Sequence, residues 1–521
     1  MHDIELLLLA LMVAVAGLSV LARLVGVPYP ILLVLGGLVL GFVPGMPEVE
    51  LPPELVLVAF LPPLLYWAGF FSSPRDLRAD ARAITASAVG LVLATTVAVA
   101  VAAHAVVDGL SWPAAFALGA IVSPTDPLAA TAIGRRLGLP RRLITLLEGE
   151  SLINDATALV AYRIAVAAAA GGTFVAWQAG LRFVVGAAGG VAVGLVAGWL
   201  VAEVRRRLDD PVVEIVVSVV TGYVAYLPAE LLDVSGVLAA VTAGIYVGWR
   251  APRLASAATR LLGFSFWEVL VYLANAVLFI LVGLQLQPIL ADLGGTAVAI
   301  LVGQAALVSA VVVGVRLGWS FSVPYLIRLL DRRPSQLTRR VGAKGRLVVG
   351  WSGMRGAVSL AAALALPLDF PMRNLLLFLT FAVILVTLVL QGLTLPTLIR
   401  RLRFDTDDSE EREELRARLT AAQAALDRLD ELAGVDWTRD DTVERLHGLY
   451  EFRRRRLKTR AGKLEDDGVE DRSQAYQRLV RELLEAQRRA IVRLRDQGAI
   501  GTDVMHRIER ELDLEDTRLE I

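Results

Sequence analysis

Apolar positions along the first four hundred residues neither alternate nor keep to one helical face; they run nearly unbroken between short polar loops. A helix apolar on every side belongs in a membrane or a deep core. About thirteen stretches approach the length that crosses roughly 30 Å of hydrocarbon. They lie near 4–23, 28–43, 53–71, 82–104, 113–134, 143–170, 178–202, 212–229, 234–249, 265–287, 296–327, 346–367 and 374–399, the second, eighth and ninth being short. The first is preceded by Met-His-Asp-Ile-Glu, acidic where a signal peptide is basic, and is read as a retained span.

Loop charge tests that segmentation independently. One set of alternate loops carries Arg23, then Arg75, Arg78 and Arg82, then Arg135, Arg136, Arg141 and Arg142, then Arg205 to Arg207, Arg250, Arg253 and Arg260, the stretch from Arg328 to Arg346, and Arg400, Arg401 and Arg403. The other set holds Glu48, Glu50, Asp108, Glu230 and Asp233 with little beyond Arg182 and Arg373. By the positive-inside rule this predicts an N-terminus outside the cell and a C-terminal tail in the cytoplasm.

Composition agrees. The 521 residues are 56% hydrophobic, and the mean hydropathy is +0.60. Lys+Arg and Asp+Glu balance at 52 each, which argues against a basic nucleic-acid binder. Cysteine is absent and only four histidines occur, at 2, 104, 447 and 506. Thiolate metal sites and a cysteine nucleophile are excluded, and buried chemistry falls to carboxylates. The balance hides an asymmetry: from residue 402 onward there are about 24 basic and about 30 acidic residues. There Leu415, Leu419, Ala422, Leu426, Leu429 and Leu432 recur at helical spacing behind Asp-Asp-Ser at 407–409, and a later helix is expected around Leu479, Leu483, Ile491 and Leu494. Residues 1–400 are thus expected to form a transmembrane domain and 401–521 a helical cytoplasmic tail, in which Arg453 to Arg456 reads as a solvated basic face in preference to a lipid site.

Two spans are interrupted. Ser123-Pro124-Thr125-Asp126-Pro127 carries two prolines, which deprive the carbonyls of Ala120 and Ser123 of helical donors. Gly350-Trp351-Ser352-Gly353-Met354-Arg355-Gly356 sets three glycines around an arginine. Broken helices at membrane depth persist only against protein or a cavity. As fifth and twelfth of the series they run in opposite directions, which fits an inverted repeat of six plus six spans and points to the substrate site. Gly186, Gly190, Gly194 and Gly198 form a small-residue ridge, open to either internal packing or a dimer contact.

Ionisable groups within spans need a partner or a function. The sixth span reads Glu148-Gly149-Glu150-Ser151-Leu152-Ile153-Asn154-Asp155, with Glu150 and Asn154 on one face and Ser151 and Asp155 on another. Asp155, Ser151 and the break at Thr125-Asp126 offer carboxylates, a hydroxyl and freed carbonyls, the oxygens that replace the water shell of a hard cation. Asp126 reads alternatively as a cap, Glu150 as an ion-pair partner, and Arg355 as a cation neutralising a buried carboxylate. Arg163 either does the same or snorkels; Glu214, Glu268 and Arg316 are expected to be interfacial or paired.

Pro-Thr-Asp-Pro at 124–127, Glu-Gly-Glu-Ser-Leu-Ile-Asn-Asp at 148–155 and Gly-Met-Arg-Gly-Ala-Val at 353–358 resemble the signature segments of the monovalent cation/proton antiporter superfamily, in its NhaP and animal Na+/H+ exchanger branch. The resemblance covers about residues 1 to 400 and implies an all-α polytopic fold of thirteen spans, crossed discontinuous helices and a homodimer in the cell membrane. It implies exchange of Na+, or Li+ or K+, for H+ without a cofactor or a nucleic-acid partner. Residue by residue it makes Asp155 the shared cation and proton site, with Asp126, Ser151 and the Thr125 backbone completing it. It pairs Glu150 with Arg355, held by Asn154, and Asn154-Asp155 suggests one cation per proton.

Desolvation favours the protonated acid and a bound cation favours the carboxylate, so one aspartate accepts either but not both. Exchange follows from that competition plus alternating access. A sodium-coupled symporter of organic anions on the same fold would need donors that this acidic site lacks. An intramembrane aspartyl protease using Asp126 and Asp155 would lack its Gly-x-Gly-Asp segment and leave the paired breaks unexplained.

Overall fold

The computed structural model of the protein describes residues 2–43, 53–171, 176–287, 289, 297–330, 340–404, 409–465 and 468–519. Glu48, Glu50, the arginine-bearing stretch 331–339 and the helix-start pair Asp407-Asp408 lie outside them. Every regular element among the described residues is helical. The chain divides into two compact units, Met1–Thr406 and Asp407–Ile521.

Among the described residues of the first unit seven helices are long and apolar enough to cross a membrane: Ala81–Val106, Arg141–Ala169, Gly180–Arg205, Pro211–Leu231, Ala257–Leu284, Val298–Ile327 and Arg373–Leu402. Shorter apolar helices include Tyr29–Gly41, whose 13 residues reach only about 20 Å at 1.5 Å per residue. The eighth stretch, short by hydropathy, becomes the helix Pro211–Leu231: Asp210 caps it through the amides of Val212 and Val213, with proline at its first turn. Leucine and valine side chains such as Leu24, Val97, Val101, Val216 and Val220 remain exposed along these helices, a surface suited to hydrocarbon. The unit is a multi-pass membrane protein.

Glycine sets the closest approaches between helices. A Cβ on Gly37 would strike the Ile280 carbonyl and one on Gly283 the Val34 carbonyl, so Tyr29–Gly41 and Ala257–Leu284 meet backbone to backbone. The glycine ridge resolves in the same way. Gly190 lies against Ser235, Gly194 against Ala239 and Gly198 against Tyr246 and Ala243, which packs Ala176–Arg205 on Gly236–Leu254 within the chain.

Both interrupted spans fold as paired half-helices. Trp112–Val122 starts at its cap Ser111, stops before Pro124, and is followed by Leu128–Arg136. Ala343–Trp351 is followed by Ala357–Leu364. Leu118, Ile121, Val122, Met354 and Leu360 place these half-helices inside the largest buried apolar cluster, with Ile31, Phe279 and Phe381.

In the second unit Ser409–Leu432 packs with Asp440–Arg460. Val469–Asp496 packs with Thr502–Leu519 over Leu484, Ile491, Met505 and Leu512. Of the residues that marked the later helix, Leu479 and Leu483 stay exposed; Val480 packs against the apolar cluster. Within the basic run, Arg454 engages Gln423 and Glu451, and Arg456 engages Glu470.

Candidate cation and proton site

The site is built on the accounting of backbone groups at the two breaks. Pro124 has no N–H for the Ala120 carbonyl, and the Ser123 hydroxyl donates to that oxygen instead at 2.9 Å. The amide of Asp126 would close a helical bond to the Val122 carbonyl. It donates across to the Met354 carbonyl of the other break at 2.8 Å. The Val122 oxygen so released accepts from Arg355 Nε at 2.9 Å. Arg355, 1% exposed, also donates to the Gly353 carbonyl, and its backbone amide donates to Thr387 Oγ1 at 3.2 Å. One arginine therefore joins both breaks.

The glycines of the second break make room for side chains. A Cβ on Gly356 would collide with the Asp126 carboxylate, and one on Gly353 with the Arg316 side chain. Asp126 reaches past Gly356 while its Oδ1 accepts the Leu128 amide at 2.9 Å, so it also serves the start of the second half-helix.

Asp155 is 8% exposed and stands on the unbroken helix Arg141–Ala169. No hydrogen bond or ion pair engages its carboxylate among the described residues, and the charge acting on it is that of Asp126. Ser151, one turn earlier, is half-buried. Next to this pair runs a chain of polar contacts. Arg316 Nη1 lies 2.5 Å from Glu150 Oε1, Thr125 Oγ1 donates to the same oxygen at 3.1 Å, and Asn154 Nδ2 donates to Thr125 Oγ1 at 3.0 Å and to its carbonyl at 3.3 Å.

The structure thus brings Asp126, Thr125, Glu150, Asn154 and Arg355 to one place, with one correction. The resemblance pairs Glu150 with Arg355, whereas here the partner is Arg316. The reason is that the Arg355 guanidinium is taken up by carbonyls freed at the breaks, and the missing side chain of Gly353 lets Arg316 pass to Glu150. Asn154 accordingly holds Thr125 rather than an arginine pair. The sequence marks Arg316 only as interfacial or paired; a lone arginine in the apolar run 298–327 was the signal for more. Thr387 begins a π-helical turn, Thr387–Gln391, and no pattern announces it. Arg163 meets Glu230 at 2.5 Å, Glu214 is buried between Arg205 and Thr259, and Glu268 is exposed.

A buried carboxylate left without a partner among the described residues is costly at membrane depth and calls for a function. Comparison with known proteins gives the family. The chain matches the transmembrane sodium/hydrogen exchangers over residues 8–401. It is 38% identical to an uncharacterised Na(+)/H(+) exchanger of Mycobacterium tuberculosis over 98% of this chain and 95% of that one. It is 33% identical to the sodium, potassium, lithium and rubidium/H(+) antiporter of Bacillus subtilis over 76% of this chain and 61% of that one. In fold it is similar to the sodium proton antiporter MjNhaP1 of Methanocaldococcus jannaschii, with a TM-score of 0.58 at 19% identity over 77% of this chain and 99% of that one. The chain belongs to the sodium/hydrogen exchanger family. It is a Na+/H+ antiporter, a transporter and not an enzyme.

Proposed function

We propose that Na+ and H+ compete for the carboxylate of Asp155, with Asp126, Ser151 and the Thr125 backbone as further oxygen donors, and that alternating access turns the competition into exchange. The observation that carries this is the Asp155 carboxylate, buried and unengaged by any described residue, opposite Asp126. An internal arginine partner would hold Asp155 permanently ionised and end its usefulness as a switch. Here the nearby cations are spent elsewhere, Arg316 on Glu150 and Arg355 on backbone.

Glu150, Asn154 and Arg355 support the site rather than take the ion: they fix Thr125 and the two breaks in position. One titrating carboxylate, with asparagine before it, gives one cation per proton and an electroneutral cycle. Thirteen crossings arranged as inverted repeats, with the two broken helices crossing at their breaks, would let the bundle around Asp126 and Arg355 rock as a body. The arginine-rich loops put the tail, from about residue 401, in the cytoplasm and the N-terminus outside a plasma membrane. A homodimer follows from the family resemblance, its contact lying away from the glycine ridge. The breadth of the name of the Bacillus subtilis relative makes Li+ and K+ candidates beside Na+.

The test is dissipation of a pH gradient in everted vesicles as Na+, Li+ or K+ is added. Asp155→Asn should abolish the response, and exchange at the parental rate would overturn the assignment.

A further inference from the structure

The helix Val469–Asp496 carries two apolar faces, and the hairpin of the second unit uses one of them. Val480, Leu484 and Ile491 pack against Met505 and Leu512. Beside that face Tyr476, Leu479, Leu483, Ala486 and Ala490 recur at alternating steps of three and four residues, the a and d positions of successive heptads. Tyr476, Leu479 and Leu483 are 61%, 60% and 54% exposed; Ala486 is exposed with them and Ala490 half-buried. The hairpin leaves this second seam uncovered.

The charges that flank the seam are an independent observation. Glu482 and Arg489 stand one heptad apart at its g positions; both are exposed, and neither has an ion pair or side-chain hydrogen bond among the described residues. Charged neighbours on the same helix are engaged: Arg488 holds Glu485 and Asp513, and Arg495 holds Asp496.

We propose that this seam pairs with the same seam of a second copy of the chain, the two helices running antiparallel. In the register centred between Leu484 and Glu485, Leu483 faces Ala486 of the second copy and Leu479 faces its Ala490, so each large side chain meets a small one. The same register sets Glu482 against Arg489 of the second copy, and two-fold symmetry repeats the pair. Tyr476 then meets Arg493, a cation for its ring. A parallel pair has neither property: it sets leucine on leucine and alanine on alanine, and carries Glu482 towards Gln487 and Arg489 towards Leu494. A seam this short is weak between free chains, but chains confined to one membrane meet at a raised effective concentration. The contact deepens the homodimer reading given above and rests on it.

Because cysteine is absent, single cysteines report position without background. The full-length protein is reconstituted in vesicles at high lipid dilution and treated with a short thiol-to-thiol cross-linker. On antiparallel helices like positions draw apart by about 3 Å for every residue from the centre. Gln487→Cys, about 8 Å from its counterpart along the axis, is expected to cross-link, and Gln497→Cys, about 38 Å from its own, is not. Any other pattern, whether both sites, neither, or Gln497→Cys alone, overturns the proposal. Added to Gln487→Cys, Glu482→Arg should slow cross-linking about fivefold or more, since two attractions become two repulsions, and the slowing should shrink as salt is added. Adding Arg489→Glu as well should restore the rate, which chance collision does not explain. Unslowed cross-linking in Glu482→Arg, or slowing that Arg489→Glu leaves in place, also overturns the proposal. Light scattering of the solubilised parent reads the homodimer separately: a dimer that cross-links at neither site keeps that reading and removes only the tail contact. No readout involves cation exchange, so the Asp155 assignment is untouched by the outcome.

Discussion

Arg355 donates from Nε to the Val122 carbonyl at 2.9 Å, a bond between two helix breaks that lie 233 positions apart in the chain. With the Asp126 amide on the Met354 carbonyl, the two breaks exchange backbone partners that neither could find in its own helix. Losing Arg355 would strand the Val122 and Gly353 carbonyls in a dry interior, at about 1–3 kcal/mol each. Arg355→Ala is expected to lower folded yield and unfolding temperature strongly, and Arg355→Lys to recover only part, because one ammonium lacks the planar fork. Size-exclusion profiles and thermal unfolding in detergent measure both; a parental profile for Arg355→Ala would refute the bridging role.

Glu150 and Arg316 should behave as a unit. Each is almost fully buried, and removing one partner of a buried pair costs about 3–5 kcal/mol, since the other is left charged and alone. Glu150→Ala and Arg316→Ala are each expected to destabilise by roughly that amount. The double variant Glu150→Gln with Arg316→Met should recover much of the loss, because no unpaired charge then remains. A double-mutant cycle on Glu150 with Arg355 should show far weaker coupling than the cycle with Arg316. The reverse ranking would restore the pairing that the family resemblance implies.

The sequence disclosed much of this site because its features are local and expensive. Prolines at 124 and 127 and glycines at 350, 353 and 356 announce breaks at which helical hydrogen bonding must fail, and carboxylates in apolar runs announce a function. Which group repairs each break is a matter of packing between segments distant in the chain. The swap of Glu150 from Arg355 to Arg316 depends on the space left by Gly353, and nothing in the run of residues 298–327 records which way Arg316 points. The π-helical turn that places Thr387 under the Arg355 amide is likewise a product of tertiary contact. In the tail, the heptad-like spacing located helices, but the inward face of Val469–Asp496 is set by Met505 and Leu512 across the hairpin, so Leu479 and Leu483 fell on the outer side.

Gly356 offers a test of geometry apart from charge. A methyl group there would occupy the position of the Asp126 carboxylate, and the backbone angles, φ −132° and ψ −156°, are extended and open to alanine. Gly356→Ala is therefore expected to push Asp126 away from Asp155 and reduce cation affinity, read as a raised half-maximal Na+ concentration in vesicles. Gly303→Ala is the control, for a Cβ there meets nothing within 4 Å, and helix propensity favours alanine by about 0.5–1 kcal/mol. Equal exchange by both variants would show that Asp126 has room to spare.

The second unit carries its own acid sensitivity at Glu470. Hydrogen bonds from Arg460 first and Arg456 second hold its carboxyl down from the ordinary 4.5 to about 2. A depressed carboxylate stabilises the folded form above its unfolded value, and that contribution is lost as pH falls from about 4.5 towards 2. Solvent screening at this half-buried surface site keeps the effect small. The pair ties the end of Asp440–Arg460 to the start of Val469–Asp496, so loosening should begin at that junction. Hydrogen exchange of the full-length protein, read on peptides covering residues 455–475 and corrected for the slowing of intrinsic amide exchange in acid, is expected to show protection factors that fall on acidification through this window. In Glu470→Gln the same peptides should exchange faster at neutral pH and lose the Glu470-dependent part of the response. If parent and variant show identical protection factors from pH 7 down to pH 3, Glu470 does not tie these helices together.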